Sequence, residues 1–287
     1  MMLLICAAIA IAFGPGGTNG FDLREPDQVI ELPEELTEIS ALTDVDDRTV
    51  ACLHDEAARL YFIDLHSGKV VREMAFGAPG DMEGLTRVGE EYFALRSDGL
   101  MFRMHVERNE LAVTDTFRLD LPNRNIEGLG WDEKRKLVLI SPKDVPKGGK
   151  KQRDVRMIHC YDPATKRLCD RPVLQLSIGS IIEEARRKDL KVPMKRTDNG
   201  RLVPDMKLKF SSVAVDPVTD HYFLLSAVDR ILLIVDRRGE VMALEQLDPK
   251  LFEKPEGITF LRNGDLLISN EGKGKKANIL RFERKGQ

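Results

Sequence analysis

The stretch that decides the fold is Glu83-Gly84-Leu85-Thr86-Arg87-Val88, followed across Gly89-Glu90 by Glu91-Tyr92-Phe93-Ala94-Leu95-Arg96. Both halves alternate apolar and polar residues and are rich in β-formers, the pattern of two strands joined by a tight turn. The first half recurs at Ser40 (SALTDV), Glu127 (EGLGWD), Ser212 (SVAVDP) and Glu256 (EGITFL). Each copy is followed by a second apolar run: RTVACL, RKLVLIS, DHYFLLS and GDLLIS. A third run follows in all five copies, as in ARLYFIDL, GLMFRMHV and RILLIVD, and a fourth in the first four. Ser67-Gly68, Asp98-Gly99, Arg238-Gly239 and Asn263-Gly264 punctuate the runs with residues that tolerate positive φ in short hairpins.

Each unit therefore reads as a four-stranded meander of about forty residues, the size of a propeller blade. The predicted fold is all-β, a five-bladed β-propeller, with a sixth, degenerate blade as the alternative. Five first-strand motifs in phase argue against a pair of stacked sandwiches. The last copy stops after its third strand, and residues 28–36 are expected to supply the missing fourth, closing the ring and protecting the sheet edges.

The segment before the repeats stands apart. Met1 to Phe13 is an unbroken apolar run, ended by Gly14 and Pro15. It is short for a membrane span and reads as the hydrophobic region of a secretory signal, or as a retained anchor. Residues 1–20 are thus expected to be a leader and 21–287 one propeller domain, exported to the periplasm or cell envelope, with membrane association only through that leader. Cys6 is a weak echo of a lipoprotein box. Cys160 and Cys169 flank the hairpin sequence YDPATKRL and would face each other across the strands, as bridged partners or as two half-buried thiols. Cys52 reads as core.

Two segments interrupt the repeat. Residues 143–153, KDVPKGGKKQR, form a basic loop in unit three. Residues 178–209 form an insertion, with Ser180 and Glu183 as the expected capping box of a short helix reaching about Asp189. Ile181, Ile182, Ala185 and Leu190 supply its apolar face, and the remainder reads as an exposed loop.

The phased series at Ser40, Glu83, Glu127, Ser212 and Glu256, with the closing LLISNEG from Leu266 to Gly272, resembles the SdiA-regulated protein family. It is similar in spirit to phytase-like and esterase-like propellers. The resemblance covers most of the chain from about Glu38, and the two interruptions depart from the pattern. It implies an exported or membrane-anchored bacterial propeller with a calcium site in the channel, and it identifies a fold better than a reaction.

In a propeller the first strand of each blade lines the central channel. Ser40, Glu83, Glu127, Ser212 and Glu256 are therefore expected to ring one mouth. Three converging carboxylates repel each other and need solvent, protons or a cation. Oxygen-only ligands suit Ca²⁺, with Glu83, Glu127 and Glu256 as its ligands. Equally, the glutamates could clip neighbouring blades through backbone amides. Gly84, Gly128 and Gly257 would let backbones approach closely. Loops joining second to third strands open on the same face and bring Arg96, Asp98, Lys143, Asp144, Asp229, Arg230, Asn270 and Glu271, with His54 the nearest histidine. Lys143, Asp144, Asn270 and Glu271 are the candidate ligand-binding residues for an anionic small molecule, and Glu271 is the candidate base. Trp131 is expected in the core.

A net charge of −3 and 6% aromatic residues point away from nucleic acid. No P-loop, dinucleotide fingerprint, Gly-x-Ser-x-Gly or zinc spacing occurs. Three functions remain: a calcium-binding or scaffold propeller of the cell envelope, a metal-dependent hydrolase of phosphate esters or other esters, and a protein-interaction platform. A monomer is expected.

Overall fold

The computed structural model describes residues 18–123, 125–145 and 152–286. Strand β1 (Gln28–Glu31) comes first in the chain. Blade 1 follows as β2 (Ile39–Asp44), β3 (Thr49–His54), β4 (Ala57–Asp64) and β5 (Val70–Ala75). Blade 2 is β6 (Met82–Val88), β7 (Glu91–Arg96), β8 (Leu100–Glu107) and β9 (Glu110–Arg118). Blade 3 is β10 (Ile126–Asp132), β11 (Leu137–Pro142), β12 (Val155–Asp162), and a broken outer strand, β13 (Arg167–Leu168) and β14 (Leu174–Ser177). After the insertion, with helix α1 (Ile178–Arg187) and the short strands β15 (Met194–Arg196) and β16 (Leu202–Pro204), comes blade 4. It comprises β17 (Ser212–Val215), β18 (Tyr222–Ser226), β19 (Ile231–Val235) and β20 (Val241–Gln246). Blade 5 is β21 (Pro255–Phe260), β22 (Leu266–Asn270) and β23 (Asn278–Phe282), with β1 as its outer strand.

The architecture is the expected five-bladed propeller. β1 pairs antiparallel with β23, Val29 opposite Leu280 and Ile30 opposite Ile279, so a segment from the start of the chain completes the last blade. The strand ends at Glu31, and Glu34–Leu36 turns as a 3-10 helix into blade 1. The inner strands touch in the order β2, β6, β10, β17, β21 and back to β2.

Strand alternation explains why the blades stack. Along β7, Tyr92 and Ala94 pack towards blade 1, while Phe93 and Leu95 pack towards blade 3. The same alternation in every blade gives five separate apolar cores, one per interface. Close approach of the inner strands requires small residues. A Cβ on Gly128 would sit 2.7 Å from Ser212 Cα, and one on Gly84 2.6 Å from the Glu127 carbonyl oxygen. The expected role of these glycines is met, between neighbouring blades.

Buried ion pairs reinforce two joints. Asp132, at the end of β10, is 0% exposed and receives Arg237 of blade 4, whose guanidinium lies 4.4 Å from the Tyr222 ring centre. Asp216 receives Arg284, which in turn covers Phe21. Cys160 and Cys169 form a disulfide with Cα atoms 5.4 Å apart, resolving the two alternatives in favour of the bridge. Cys52 is buried and free.

Three local expectations are corrected. The helix cap is Ser177, whose Oγ accepts from the Ser180 amide; Ser180 lies inside the helix, and Asp154 also binds the Gly179 amide from outside. Asp154 made the earlier start favourable, a long-range contact that local spacing does not display. The remainder of the insertion is exposed but contains the β15–β16 hairpin, turned at Asn199-Gly200. Trp131 is only half-buried and opens onto the channel end opposite the glutamates. The expected leader, apart from residues 18–20, and residues 146–151 of the basic loop lie outside the described residues. Among the described residues no helix is long and apolar enough to cross a membrane.

Candidate functional site

The glutamate mouth is built on four β-bulges. Met82 opposes Arg96 and Gly84 opposes Leu95, leaving Glu83 as the extra residue between two pairs. The register slips in the same way at Glu127, Glu256 and Ser40. A bulge re-aims its extra side chain out of the regular pleat, so these residues share a direction that ordinary alternation would not give them.

Blade 4 corrects the expected ring by one residue. Ser212 opposes Leu225 as Gly84 opposes Leu95, so Ser211 holds the position equivalent to Glu83. The ring is Ser40, Glu83, Glu127, Ser211 and Glu256. Two adjacent serines made the phase ambiguous where blade 4 lacks the glycine. Ser211 Oγ donates to the Pro255 carbonyl at 3.4 Å, and Ser212 Oγ accepts from the Ile258 amide at 3.3 Å, so both tie blade 4 to blade 5.

Residues two positions earlier complete the mouth: Glu38, Asp81, Asn125, Lys209 and Lys254. Asn125 Nδ2 donates to Glu127 Oε1 at 3.2 Å, and Lys209 lies 3.5 Å from Asp144. Lys254 pairs with Glu256 at 3.2 Å and also with Glu271. Glu127, 1% exposed, pairs with Lys143. Most of this second tier was missed in the sequence, because it lies just before each inner strand and the bulge beside it breaks the alternation that would have marked it.

Burial sets the electrostatics. It pushes the Glu83 carboxyl up to about 8, helped by the charges of Glu127 and Asp81 and opposed by Lys143. It pushes Glu127 up to about 7 against the pull of Lys143, and raises Glu256 against Lys254 and Lys143. For Lys143, burial disfavours the ammonium, yet Glu127, Glu256 and Glu83 outweigh it and its pKa rises. Lys254 rises to about 12, burial again being outweighed by Glu271 and Glu256. The mouth is thus one electrostatic unit, in which carboxyls hold protons unusually well and ammonium groups hold theirs firmly.

Several side chains expected at the mouth turn out to have structural partners. Glu271 is ion-paired with Lys254, and Asp144 with Lys209. The Asn270 amide nitrogen donates to Asn278 Oδ1 at 2.9 Å and to the Leu251 carbonyl at 3.3 Å. Asp98 serves its own turn and binds Arg96 at 2.9 Å. Asp229 accepts from the Lys207 and Leu208 amides, and Arg230 donates to the Phe252 and Glu253 carbonyls. Lys275 and Lys276, in the lysine-rich turn after β22, face Glu253 and Glu31.

The grouping closest to a metal-ligand arrangement is one the sequence did not suggest. Among the described residues, only Glu38, His54 and Asp55 bring three ligand atoms within 4.8 Å of one another. Glu83, Glu127 and Glu256 are therefore more widely spaced. His54 Nδ1 accepts from the Glu56 amide at 3.1 Å, and Nε2 faces Glu38 at 3.8 Å. Burial and the charges of Glu38 and Glu271 raise the Asp55 carboxyl, against His54.

Beside these paired groups, the mouth holds buried oxygens that have no partner. Ser40 Oγ, Asp55 Oδ1, Asn123 Oδ1, Glu127 Oε2 and Asn270 Oδ1 are buried oxygens without a hydrogen-bond partner, and all five belong to this face. The four carboxylate and amide oxygens among them are acceptors that call for a proton or a cation, while the Ser40 hydroxyl brings its own hydrogen.

No protein-family model and no curated protein matches the sequence. Among solved structures, the chain is similar to the glutaminyl cyclase of Myxococcus xanthus, with 13% identity, a TM-score of 0.57, and 90% of this chain and 95% of that one covered. It is also similar to the PQQ-bound aldose sugar dehydrogenase of Streptomyces coelicolor, with 13% identity, a TM-score of 0.53, and 90% and 97% covered. At such identity the likeness is one of fold, and the fold of this chain is the five-bladed β-propeller.

Proposed function

We propose that this chain is an exported binding propeller of the cell envelope whose glutamate mouth takes a hard cation, Ca²⁺. The observation that carries the reading is the set of four buried, partnerless carboxylate and amide oxygens on the face of three buried or half-buried glutamates, one of the four being Glu127's own. A cation answers both needs at once: it satisfies acceptors that have no donor and lowers the carboxyl pKa values that burial has raised. Glu83, Glu127 and Glu256 would supply carboxylate oxygens, with waters bridging their wide spacing. Asp55 and Glu38 extend the same acidic surface. Lys143 and Lys254 hold two of the glutamates and would have to swing aside, so the affinity expected is that of a weak extracellular site. The resemblance to SdiA-regulated proteins agrees with export and with calcium.

A second reading has one observation of its own. Glu83 at about 8 beside Glu127 at about 7 keeps a proton in play near neutral pH, as acid–base chemistry requires. This supports a hydrolase acting on an ester, with Lys143 holding the anion.

Calorimetric titration with Ca²⁺ tests the first reading. Saturable binding, lost in the Glu83→Gln/Glu127→Gln/Glu256→Gln variant, is expected; equal binding by that variant overturns the ring site. An ester and phosphoester panel, with and without Ca²⁺, tests the second, and turnover lost in Glu83→Gln is its expected signature.

A further inference from the structure

The end of the channel opposite the glutamates holds a cavity of about 430 Å³ that neither reading above uses. It is lined by the far ends of all five inner strands. Along each strand one buried apolar residue separates it from the ring: Leu42, Leu85, Leu129, Val213 and Ile258, each 0–3% exposed. The volume lies in the range of small-molecule sites, which combine apolar walls with a few placed polar groups.

Five charged side chains reach the lining: the acids Asp44, Glu90 and Glu133, and the bases Arg87 and Arg262. Three of them are already committed. Arg87 spends one terminal nitrogen on the Val45 carbonyl at 2.8 Å and the other on Glu90 at 3.0 Å. Glu133 is held by the Trp131 indole N–H and by Lys136. One acid and one base are left. Asp44 forms no ion pair among the described residues; burial raises its pKa, opposed by the charges of Arg87 and Arg262 and by the Thr259 hydroxyl. Arg262 is exposed, and its guanidinium forms no ion pair or hydrogen bond among the described residues. Asp44 and Arg262 thus feel each other's charge without pairing, and the charge left open in the cavity sums to zero. An occupant that answers both brings a cation and an anion of its own. The walls around them are apolar, with Leu85, Leu129, Val215, Phe260 and the half-buried Trp131.

We infer that this cavity is a second, separate ligand site for a small zwitterion, a free apolar α-amino acid, with its ammonium on Asp44, its carboxylate on Arg262 and its side chain against Leu85, Leu129, Phe260 and Trp131. An ammonium donates to carboxylate oxygens, and a guanidinium meets a carboxylate with paired N–H donors. A free amino acid carries its two charges on neighbouring atoms of one small head, so an exposed arginine and a half-buried carboxylate seat both while the apolar body leaves water. A ligand of one charge alone would leave Asp44 or Arg262 unanswered.

Trp131 is the only tryptophan and stands in the cavity wall, so its emission reports on occupancy. The test is titration of the full chain with L-leucine, read by Trp131 emission and by calorimetry. Saturable one-to-one binding is expected. 4-Methylpentanoate lacks the ammonium of leucine and 3-methylbutylamine lacks its carboxylate; each should bind about tenfold more weakly, the loss of one charge-assisted hydrogen bond. The variants should match the missing groups. Arg262→Gln should weaken leucine about tenfold and leave the amine unchanged, and Asp44→Asn should weaken leucine equally and leave 4-methylpentanoate unchanged. Val215→Phe, which fills the cavity, should abolish binding, and Glu83→Gln should bind like the parent. The site is overturned by absence of saturable leucine binding, by either analogue binding as tightly as leucine, or by an Arg262→Gln protein of unchanged circular dichroism that binds leucine as before. A loss in Glu83→Gln as large as that in Arg262→Gln would also overturn it, because the two ends of the channel would then not be separate. If a variant fails to fold, the comparison of leucine with its two analogues on the parent protein decides alone.

Discussion

Lys254 stands two residues before Glu256 and 3.2 Å from its Oε1, so this ring glutamate has its counter-ion just ahead of its own strand. Glu271 closes the group from β22's side. Lys254→Met removes the ammonium and leaves Glu256, 8% exposed, to hold a charge alone or take up a proton. We expect a loss of about 1–3 kcal/mol in urea unfolding at pH 8. The loss should shrink as pH falls, because burial raises the Glu256 pKa and protonation removes the stranded charge.

Stability of the parent should itself fall as pH rises. Glu83 and Glu127 titrate at about 8 and about 7 in the fold, against 4.5 when unperturbed. Folded-state values above the unfolded ones mean that the native state binds more protons in between. Their stabilising contribution is complete below pH 4.5, and it is lost as pH passes through 7 and 8. Thermal melts from pH 5 to 9 should show this decline, and Glu83→Gln should flatten its upper part. Saturating Ca²⁺ should flatten it too, since the metal favours the ionised form.

Lys143 competes with any cation for Glu127. Lys143→Gln removes the competitor while keeping a polar group in place, and Ca²⁺ affinity should rise by about tenfold or more. Calorimetry reads the change directly. An unchanged affinity would mean that Glu127 is not a ligand.

The joint between blades 3 and 4 holds a fully buried carboxylate beside its apolar core. Asp132 is 0% exposed and is held by Arg237, which also pairs with Asp220. Arg237→Met leaves Asp132 uncompensated, and a cost of about 3–5 kcal/mol is expected in chemical denaturation. The double variant Arg237→Met/Asp132→Leu should recover most of it, because the penalty is that of the stranded charge.

The fold was legible because a repeat announces itself several times over. Glu83-Gly84-Leu85 alone is a weak signal, but its recurrence at Glu127 and Glu256, with glycine required by the approach of the next strand, sets both the strand type and its phase. Where the repeat degenerates, the phase is lost: Ser211 and Ser212 differ by one position, and only pairing with Leu225 separates them. The site was legible in its carboxylates and not in its counter-charges. Lys254 and Asn125 approach the ring from just before their strands, across the bulge that re-aims the glutamates, and Asp154 holds the helix start at the Gly179 amide through a contact that no local spacing records. Trp131 was expected in the core because it follows the third ring motif; its environment depends on the hollow at the centre, which exists only once five blades have closed.

That closure has a consequence for how the molecule comes into being. β1 leaves the ribosome before any blade, yet its hydrogen-bonding partner β23 is made after all the others. Throughout synthesis the earliest strand must wait with an unsatisfied edge while four sheets assemble behind it. The ring can only be fastened from its oldest segment to its youngest, so a fragment lacking either one has a loose end where the intact chain has a seam.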